Sequence, residues 1–125
     1  MVADKVYDIM YAVPEMQTWN LHIGDLPSAE KECTCIIEYD GYSSTEYFKS
    51  AEIPTSIVNP VVKIITRTAS YVTGQARNQQ IKELLHRYHD EDLLSVLLVG
   101  APMYLGRGDM KLHEFQVTFQ IQTKE

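Results

Sequence analysis

The chain has 125 residues, 45% of them hydrophobic and 22% charged, which predicts a single domain over residues 1–125. Its net charge is −6 and its 11 basic residues are scattered, so a sequence-reading nucleic-acid binder is not expected. No stretch approaches the ~18 apolar residues of a membrane-spanning helix. The N-terminus lacks a secretory leader, so we expect the chain to stay in the compartment where it is made.

The first third of the chain predicts one helix and one short strand. Apolar residues in 2–12 recur at the i, i+3, i+4, i+7 spacing of an amphipathic helix, which Pro14 ends. Residues 18–24 form a strand candidate, and the polar stretch 25–32 predicts a turn region.

Residues 33–39 are rich in β-formers and predict a strand that stops at the Asp40-Gly41 turn signal. Alternate side chains of a strand point to opposite faces, which makes a disulfide between Cys33 and Cys35 implausible. We therefore expect both thiols to be reduced. A metal site would need further ligands at suitable spacing.

Residues 40–58 show no clean period and predict a long loop of the functional or mobile kind. This loop carries the large side chains of Tyr42, Tyr47 and Phe48. Two interpretations remain open: the aromatic side chains fold back onto the core, or they contact another subunit.

The second half of the chain predicts three strands and one helix. Residues 60–68 are apolar on both faces, as in a central strand. Ser70 is a good N-cap for a helix that continues to about Tyr88 with an apolar stripe, although Gly74 weakens its first turns. Residues 95–100 predict another strand. Residues 113–122 alternate strictly, as in an antiparallel strand with one buried face and one wet or partner-facing side.

The resulting order is helix, strand, strand, long loop, strand, helix, strand, strand. This order predicts an α+β domain. Its single, mainly antiparallel sheet carries an N-terminal helix and a second, central helix packed on it.

The tripeptide Arg107-Gly108-Asp109 can act as a cell-adhesion ligand when a loop presents it. Here it lies between two β-patterned runs, where glycine and aspartate favour a turn. A hairpin corner explains these residues without a receptor, and the sequence shows no route of export.

Histidines provide the only candidate for metal chemistry. His86 and His89 lie three residues apart, with Asp90 or Glu91 as a conceivable third ligand. Histidines at a helix C-terminus explain the pattern more simply. Nucleophile and phosphate-loop motifs are absent, so we expect no enzymatic activity, no cofactor and no metal.

Three stretches carry a resemblance to a known family: 35–42, 60–88 and 102–122. The last of them has a proline, an aromatic–aliphatic pair with Gly-Arg, a polar turn and an aromatic-rich strand. Its matching residues are Pro102, Tyr104, Leu105, Gly106, Arg107, Glu114, Phe115, Val117, Phe119 and Ile121. The chain resembles the phage minor capsid and tail terminator proteins, also called tail completion or head–tail joining proteins.

The resemblance implies a structural virion protein without chemistry. It implies a homo-oligomeric ring, typically six-fold, at the head–tail junction of the virion, which assembles in the host cytoplasm. The implied partners are other copies of the chain, the tail tube protein and the head connector, while DNA passes without specific binding. A homo-oligomeric protein or enzyme that binds a metal or small ligand is the alternative.

Combining the resemblance with the residue patterns, we expect subunit or partner contacts at the long loop, the 104–111 hairpin tip and the wet strand face. The residues concerned are Tyr42, Tyr47, Phe48, Tyr104, Arg107, Asp109, Gln116 and Gln120.

Overall fold

A computed structural model describes residues 2–24, 32–43, 57–91, 93–107 and 112–124. These residues form two α-helices, one short 3-10 helix and six strands. In chain order they are α1 Val2–Tyr11, the 3-10 helix Pro14–Thr18, β1 Leu21–Ile23, β2 Cys33–Ser43, β3 Ile57–Thr68, α2 Tyr71–Leu85, β4 Leu93–Leu98, β5 Met103–Arg107 and β6 His113–Lys124.

All six strands belong to one sheet of order β1-β2-β3-β6-β4, and β5 also pairs with β6. Strand β1 runs parallel to β2, and every other pairing is antiparallel. Strands β4 and β5 both lie on the side of β6 away from β3, with β4 along its C-terminal half and β5 along its N-terminal half. The fold is therefore the predicted α+β class with a mainly antiparallel sheet.

Both helices pack on the same face of the sheet, α1 over β1 and β2, and α2 over β6 and β3. The apolar stripe of α1 is buried there, because Val6 and Met10 have no exposed surface. On the sheet side the core consists of Ile36, Val62, Ile64, Leu93, Val96, Val117, Phe119 and Ile121. Burial of these side chains stabilises the fold by roughly 25 cal/mol for each Å² of apolar surface removed from water.

Several sequence predictions are confirmed. Strand β3 is central, between β2 and β6. The Ser70 hydroxyl accepts a hydrogen bond from the Thr73 N–H at 3.3 Å and so caps α2. Strand β6 buries the predicted apolar face from Phe115 to Ile121, while Gln116 and Gln120 on the other face stay half-buried.

Helix α2 ends at Leu85, so the prediction that it continues to Tyr88 was wrong. His86 is extended, and Arg87 has a φ of 69°, a left-handed conformation that cannot continue a helix. The N–H of Arg87 donates to the carbonyl of Val96 at 2.7 Å. After α2 ends, the backbone at Arg87 is therefore bonded to β4 instead of to the preceding turn of the helix.

The prediction that the strand stops at Asp40-Gly41 was also wrong, because β2 continues through these residues to Ser43. The pairing with β3 shifts register between Tyr39 and Tyr42, as in a β-bulge, which absorbs the turn-forming residues without ending the strand. Strand β3 begins at Ile57, so both ends of the predicted 40–58 loop are strand. Its middle, residues 44–56, lies outside the described residues, as does most of the predicted 25–32 turn.

Gly74 lies on α2 where the helix crosses β6. A Cβ atom at this position would overlap the ring of Phe115 and the hydroxyl of Thr68. The glycine that weakens the helix by propensity thus permits close contact between helix and sheet.

Cys33 and Cys35 are both free, as predicted, and both are fully buried. They lie two residues apart on one strand and share a face, so the argument from opposite faces was wrong. The hydrogen bond between the two thiols lowers the pKa of Cys33 to about 7, and the same bond together with burial raises the pKa of Cys35. Across from Cys33, Arg67 forms an ion pair with Glu114 at 3.6 Å.

Candidate subunit interface

Strands β4 and β5 together form one edge of the sheet. The side of each strand that faces away from β6 pairs with no described strand. An edge strand presents unpaired backbone N–H and C=O groups, which favour contact with another chain. This edge is therefore the first place to look for a partner surface.

Large apolar side chains are exposed along this edge. Leu97 and Val99 are each 49% exposed, Met103 is 52% exposed and Leu105 is 44% exposed. Burying four such side chains against a partner would stabilise the contact more than polar surface contacts of the same area. Exposed apolar groups that follow one another along a sheet edge favour an interaction site.

Polar side chains of β6 lie beside these apolar groups on the face without helices. Leu97 is paired with Gln120 and Met103 with Gln116, and the Val99 N–H donates to the Thr118 carbonyl at 2.8 Å. We call the residues named in this paragraph and the one before it the sheet-edge surface, because each lies on this edge or next to it. Its members are Leu97, Val99, Met103, Leu105, Gln116, Thr118 and Gln120.

The seven residues of the sheet-edge surface carry no ionisable group, although the chain as a whole carries a charge of −6. Charged side chains border them, since Arg107 ends β5 and Lys63 is paired with Thr118. Like charges placed opposite each other cost several kcal/mol. A neutral surface is thus the part of an acidic protein that can meet a second acidic copy without repulsion. Its amides and hydroxyl can pair with polar groups across the contact, as they do with each other between Gln116 and Thr118 at 3.4 Å.

An aromatic cluster fixes the other side of β5. The ring of Tyr104 lies edge-on to Tyr71, with centroids 5.0 Å apart, and 5.1 Å from Phe115. The Tyr104 hydroxyl is 2.8 Å from Nδ1 of His113. Aromatic pairs of this geometry are worth about 0.5–1.5 kcal/mol each beyond their burial. The cluster ties β5 to α2 and holds the edge strand in place.

One of the two histidines considered for a metal site, His86, serves a structural role. Nδ1 of His86 accepts a hydrogen bond from the Leu98 N–H at 3.1 Å and joins the end of α2 to β4. Asp90 accepts from the Leu93 N–H at 2.7 Å and from the Tyr88 hydroxyl at 3.0 Å, and this bond to Asp90 raises the pKa of Tyr88. Among the described residues no group of three metal-binding side chains is present.

The structure brings only part of the predicted interface together. Gln116 and Gln120 lie side by side with the exposed apolar edge. Tyr104 is 43% exposed but turns toward α2, so it borders this surface rather than belonging to it. Arg107 is exposed at the end of β5, paired with His113.

The remaining predicted contacts lie outside the described residues. They are Tyr47, Phe48 and Asp109, together with the side chain of Tyr42, whose backbone pairs with Asn59 in β2 and β3. For the adhesion tripeptide, the flanking strands β5 and β6 do pair antiparallel, which agrees with the predicted hairpin.

Sequence reasoning missed the apolar members of the surface, above all Leu97, Val99 and Met103. The signal was present in β4, where Val96 and Leu98 alternate with Leu97 and Val99. A strand that is apolar on both faces usually lies inside a sheet. Here it lies at the edge, and the second apolar row faces outward.

The fold defines a class of protein: an α+β domain with a six-stranded, mainly antiparallel sheet that exposes apolar side chains along one edge. A family model described as bacteriophage tail terminator protein matches residues 9–125. The chain therefore belongs to the bacteriophage tail terminator family and is a structural phage tail protein, as its sequence resemblance implied.

One solved structure with a similar fold is a chain from the virion of a native gene transfer agent particle. It is 12% identical in sequence, has a TM-score of 0.60, and the match covers 96% of this chain and 92% of that chain. At this identity the likeness shows the fold. A comparison with curated proteins finds no match. In the described part of the chain, no helix has the length and apolar character needed to cross a membrane.

Proposed function

We propose that the protein forms a homo-oligomeric ring, typically a hexamer, at the head-proximal end of the phage tail. The ring ends the tail tube and joins it to the head connector. Membership of the tail terminator family supports this role. The protein acts through its surfaces, without catalysis.

The observation that carries the proposal is the sheet-edge surface. It lies at one end of the sheet, whereas α1 lies over the strands at the other end. A contact between this edge and a different patch of the next copy is heterologous, and heterologous contacts generate rings when the rotation closes. Because the surface is apolar and neutral, it favours copies of the same acidic chain.

The charge of the subunit also suits a channel for DNA. A ring of subunits that each carry −6 charges would repel DNA phosphates rather than bind them. DNA would then pass the ring without being held. A reconstruction of the ring with a basic lumen would contradict this part of the proposal.

The role is tested by deleting the gene from the phage and imaging the particles by electron microscopy. We expect tails of uncontrolled length that are not joined to heads, because the tube is not capped. Supplying the wild-type chain from a plasmid should restore joined tails of uniform length. Joined tails of normal length in the deletion strain would contradict the proposal.

The rival function, binding of a metal or small ligand, has less support. His86 and Asp90, which would supply ligands, already accept backbone hydrogen bonds. Metal analysis of the purified chain decides between the two, because stoichiometric zinc or iron would favour the rival.

A further inference from the structure

A cleft opens between α2 and β5, beside the sheet-edge surface. Its volume is about 260 Å³. The lining residues are aromatic, apolar or amide-bearing: Tyr71, Gln75, Asn78, Gln79, Pro102, Met103, Tyr104 and Phe115. Met103 belongs to both the cleft and the sheet-edge surface, so the two are continuous.

Asn78 lies in the wall of this cleft with one hydrogen-bonding atom unused. Its side chain is only 4% exposed, and its Nδ2 donates to the Gln116 carbonyl at 3.4 Å. Its Oδ1 is buried and has no hydrogen-bond partner among the described residues. A buried acceptor without a partner is destabilising, so a group that donates to Oδ1 would recover this free energy.

The size and charge of the cleft restrict what can fill it. Pockets for small ligands usually have volumes of about 300–1,000 Å³, and this cleft is smaller. It fits one or two inserted side chains better than a cofactor. The lining contains no ionisable acid or basic side chain apart from the two tyrosine hydroxyls. The matching group is therefore a neutral donor such as a hydroxyl, an amide or an indole N–H.

We propose that this cleft receives a neutral, donor-bearing side chain from a second copy of the chain, with Asn78 Oδ1 as the acceptor. This inference rests on the proposed ring. A second copy is favoured because the cleft continues into the neutral edge through Met103. It is also favoured because the neutral lining of the cleft places no like charges opposite each other when two copies with charges of −6 each meet there.

Adjacent glutamines on α2 provide a matched test. Gln79 lines the cleft, whereas Gln80 lines a separate groove next to Trp19. Benzoylphenylalanine is introduced at position 79 or at position 80, and both the assembled particles and the purified chain are irradiated. We expect a covalent dimer of this chain from position 79 and at least fivefold less from position 80. No dimer from position 79, equal yields from both, or a product with another protein would overturn the proposal.

The variant Asn78→Leu tests the role of the acceptor itself. It removes the unpartnered oxygen and also the bond from Nδ2 to the Gln116 carbonyl, so the isolated subunit should unfold at about the same temperature as the wild type. Association between copies should weaken roughly tenfold, because the donor of the neighbour loses its partner. Association is measured as dimer yield from position 79. Unchanged yield would overturn the acceptor role, as would reduced yield together with a lower unfolding temperature.

These outcomes separate the inference from the proposed function. If the chain is absent from particles, the proposal of a ring at the tail end is wrong. Irradiation of the purified chain then still shows whether two copies contact each other at the cleft. If particles contain the chain and position 79 gives no dimer, the ring stands and the cleft assignment fails.

Discussion

The two faces of β6 share one backbone but have different roles. On one face Val117, Phe119 and Ile121 are fully buried under the helices. On the other face Gln116 and Gln120 stay half-buried beside exposed Leu97 and Met103. The first face of β6 is buried in the core, whereas the second lies beside apolar side chains that stay exposed. Substitutions on the first should therefore reduce stability, and those on the second should reduce association.

The largest effect is expected at Phe119, which is fully buried in the core on β6, the strand under α2, and is paired with Val62 of β3. Phe119→Ala should lower the free energy of unfolding by about 3–5 kcal/mol, because a large cavity remains. Its neighbour Gln120→Ala should change it by less than about 0.5 kcal/mol. Urea denaturation followed by circular dichroism measures both. Similar losses at the two positions would remove the distinction between the faces.

The second-largest effect is expected on the association between copies and not on the stability of the subunit. Leu97→Asp places a charge on the sheet-edge surface and should weaken contact between copies by about 2 kcal/mol or more, roughly 30-fold. Unfolding should change by less than about 0.5 kcal/mol, because Leu97 is already exposed.

Val72→Asp is the matched control, since Val72 is 74% exposed on α2 and lies away from this edge. Complementation of the deletion strain and electron microscopy of the tails provide the measurement. If both variants restore joined tails equally well, the sheet edge is not the contact.

A smaller loss of stability is expected at Gly74. In Gly74→Ala the new methyl group meets Phe115 and Thr68, and overpacking of this kind costs about 1–3 kcal/mol. The gain of about 1 kcal/mol in helix propensity offsets part of this cost. We expect a net loss of up to about 2 kcal/mol in thermal denaturation. A more stable variant would show that α2 does not pack as closely on β6 as described.

The smallest effect is expected at the helix cap. Ser70→Ala removes the acceptor of the Thr73 N–H and should cost about 1 kcal/mol. Ser95→Ala, which loses an exposed hydrogen bond to Gln122 on the edge, should cost less than about 0.5 kcal/mol. Equal losses in urea denaturation would mean that the cap adds nothing beyond an ordinary surface hydrogen bond.

The sequence predicted the helix-covered side of the molecule well, because periodic burial leaves a periodic pattern. The alternation from Phe115 to Ile121 and the stripe of α1 both reflect a single buried face. The end of α2 was missed, because the left-handed Arg87 is stabilised by a bond to Val96 that is distant in sequence. The Asp40-Gly41 signal failed for a similar reason, since pairing with β3 outweighs local turn preference.

Of the sheet-edge surface, the sequence predicted only the polar residues. Gln116 and Gln120 followed from the alternation of β6. The exposed Leu97 and Met103 did not, because an apolar strand at an edge has the same composition as one in the middle of a sheet. Only the strand order, which depends on pairing between distant segments, shows that β4 and β5 each have a side that pairs with no strand in the described part of the chain.

The most direct test of the account is a reconstruction of the head–tail junction from assembled particles by electron cryo-microscopy. We predict a ring of this chain between tail tube and connector, with Leu97, Val99 and Met103 of each copy buried against the next. A junction without the chain would contradict the proposed function. A ring in which these three side chains face solvent would contradict the sheet-edge contact.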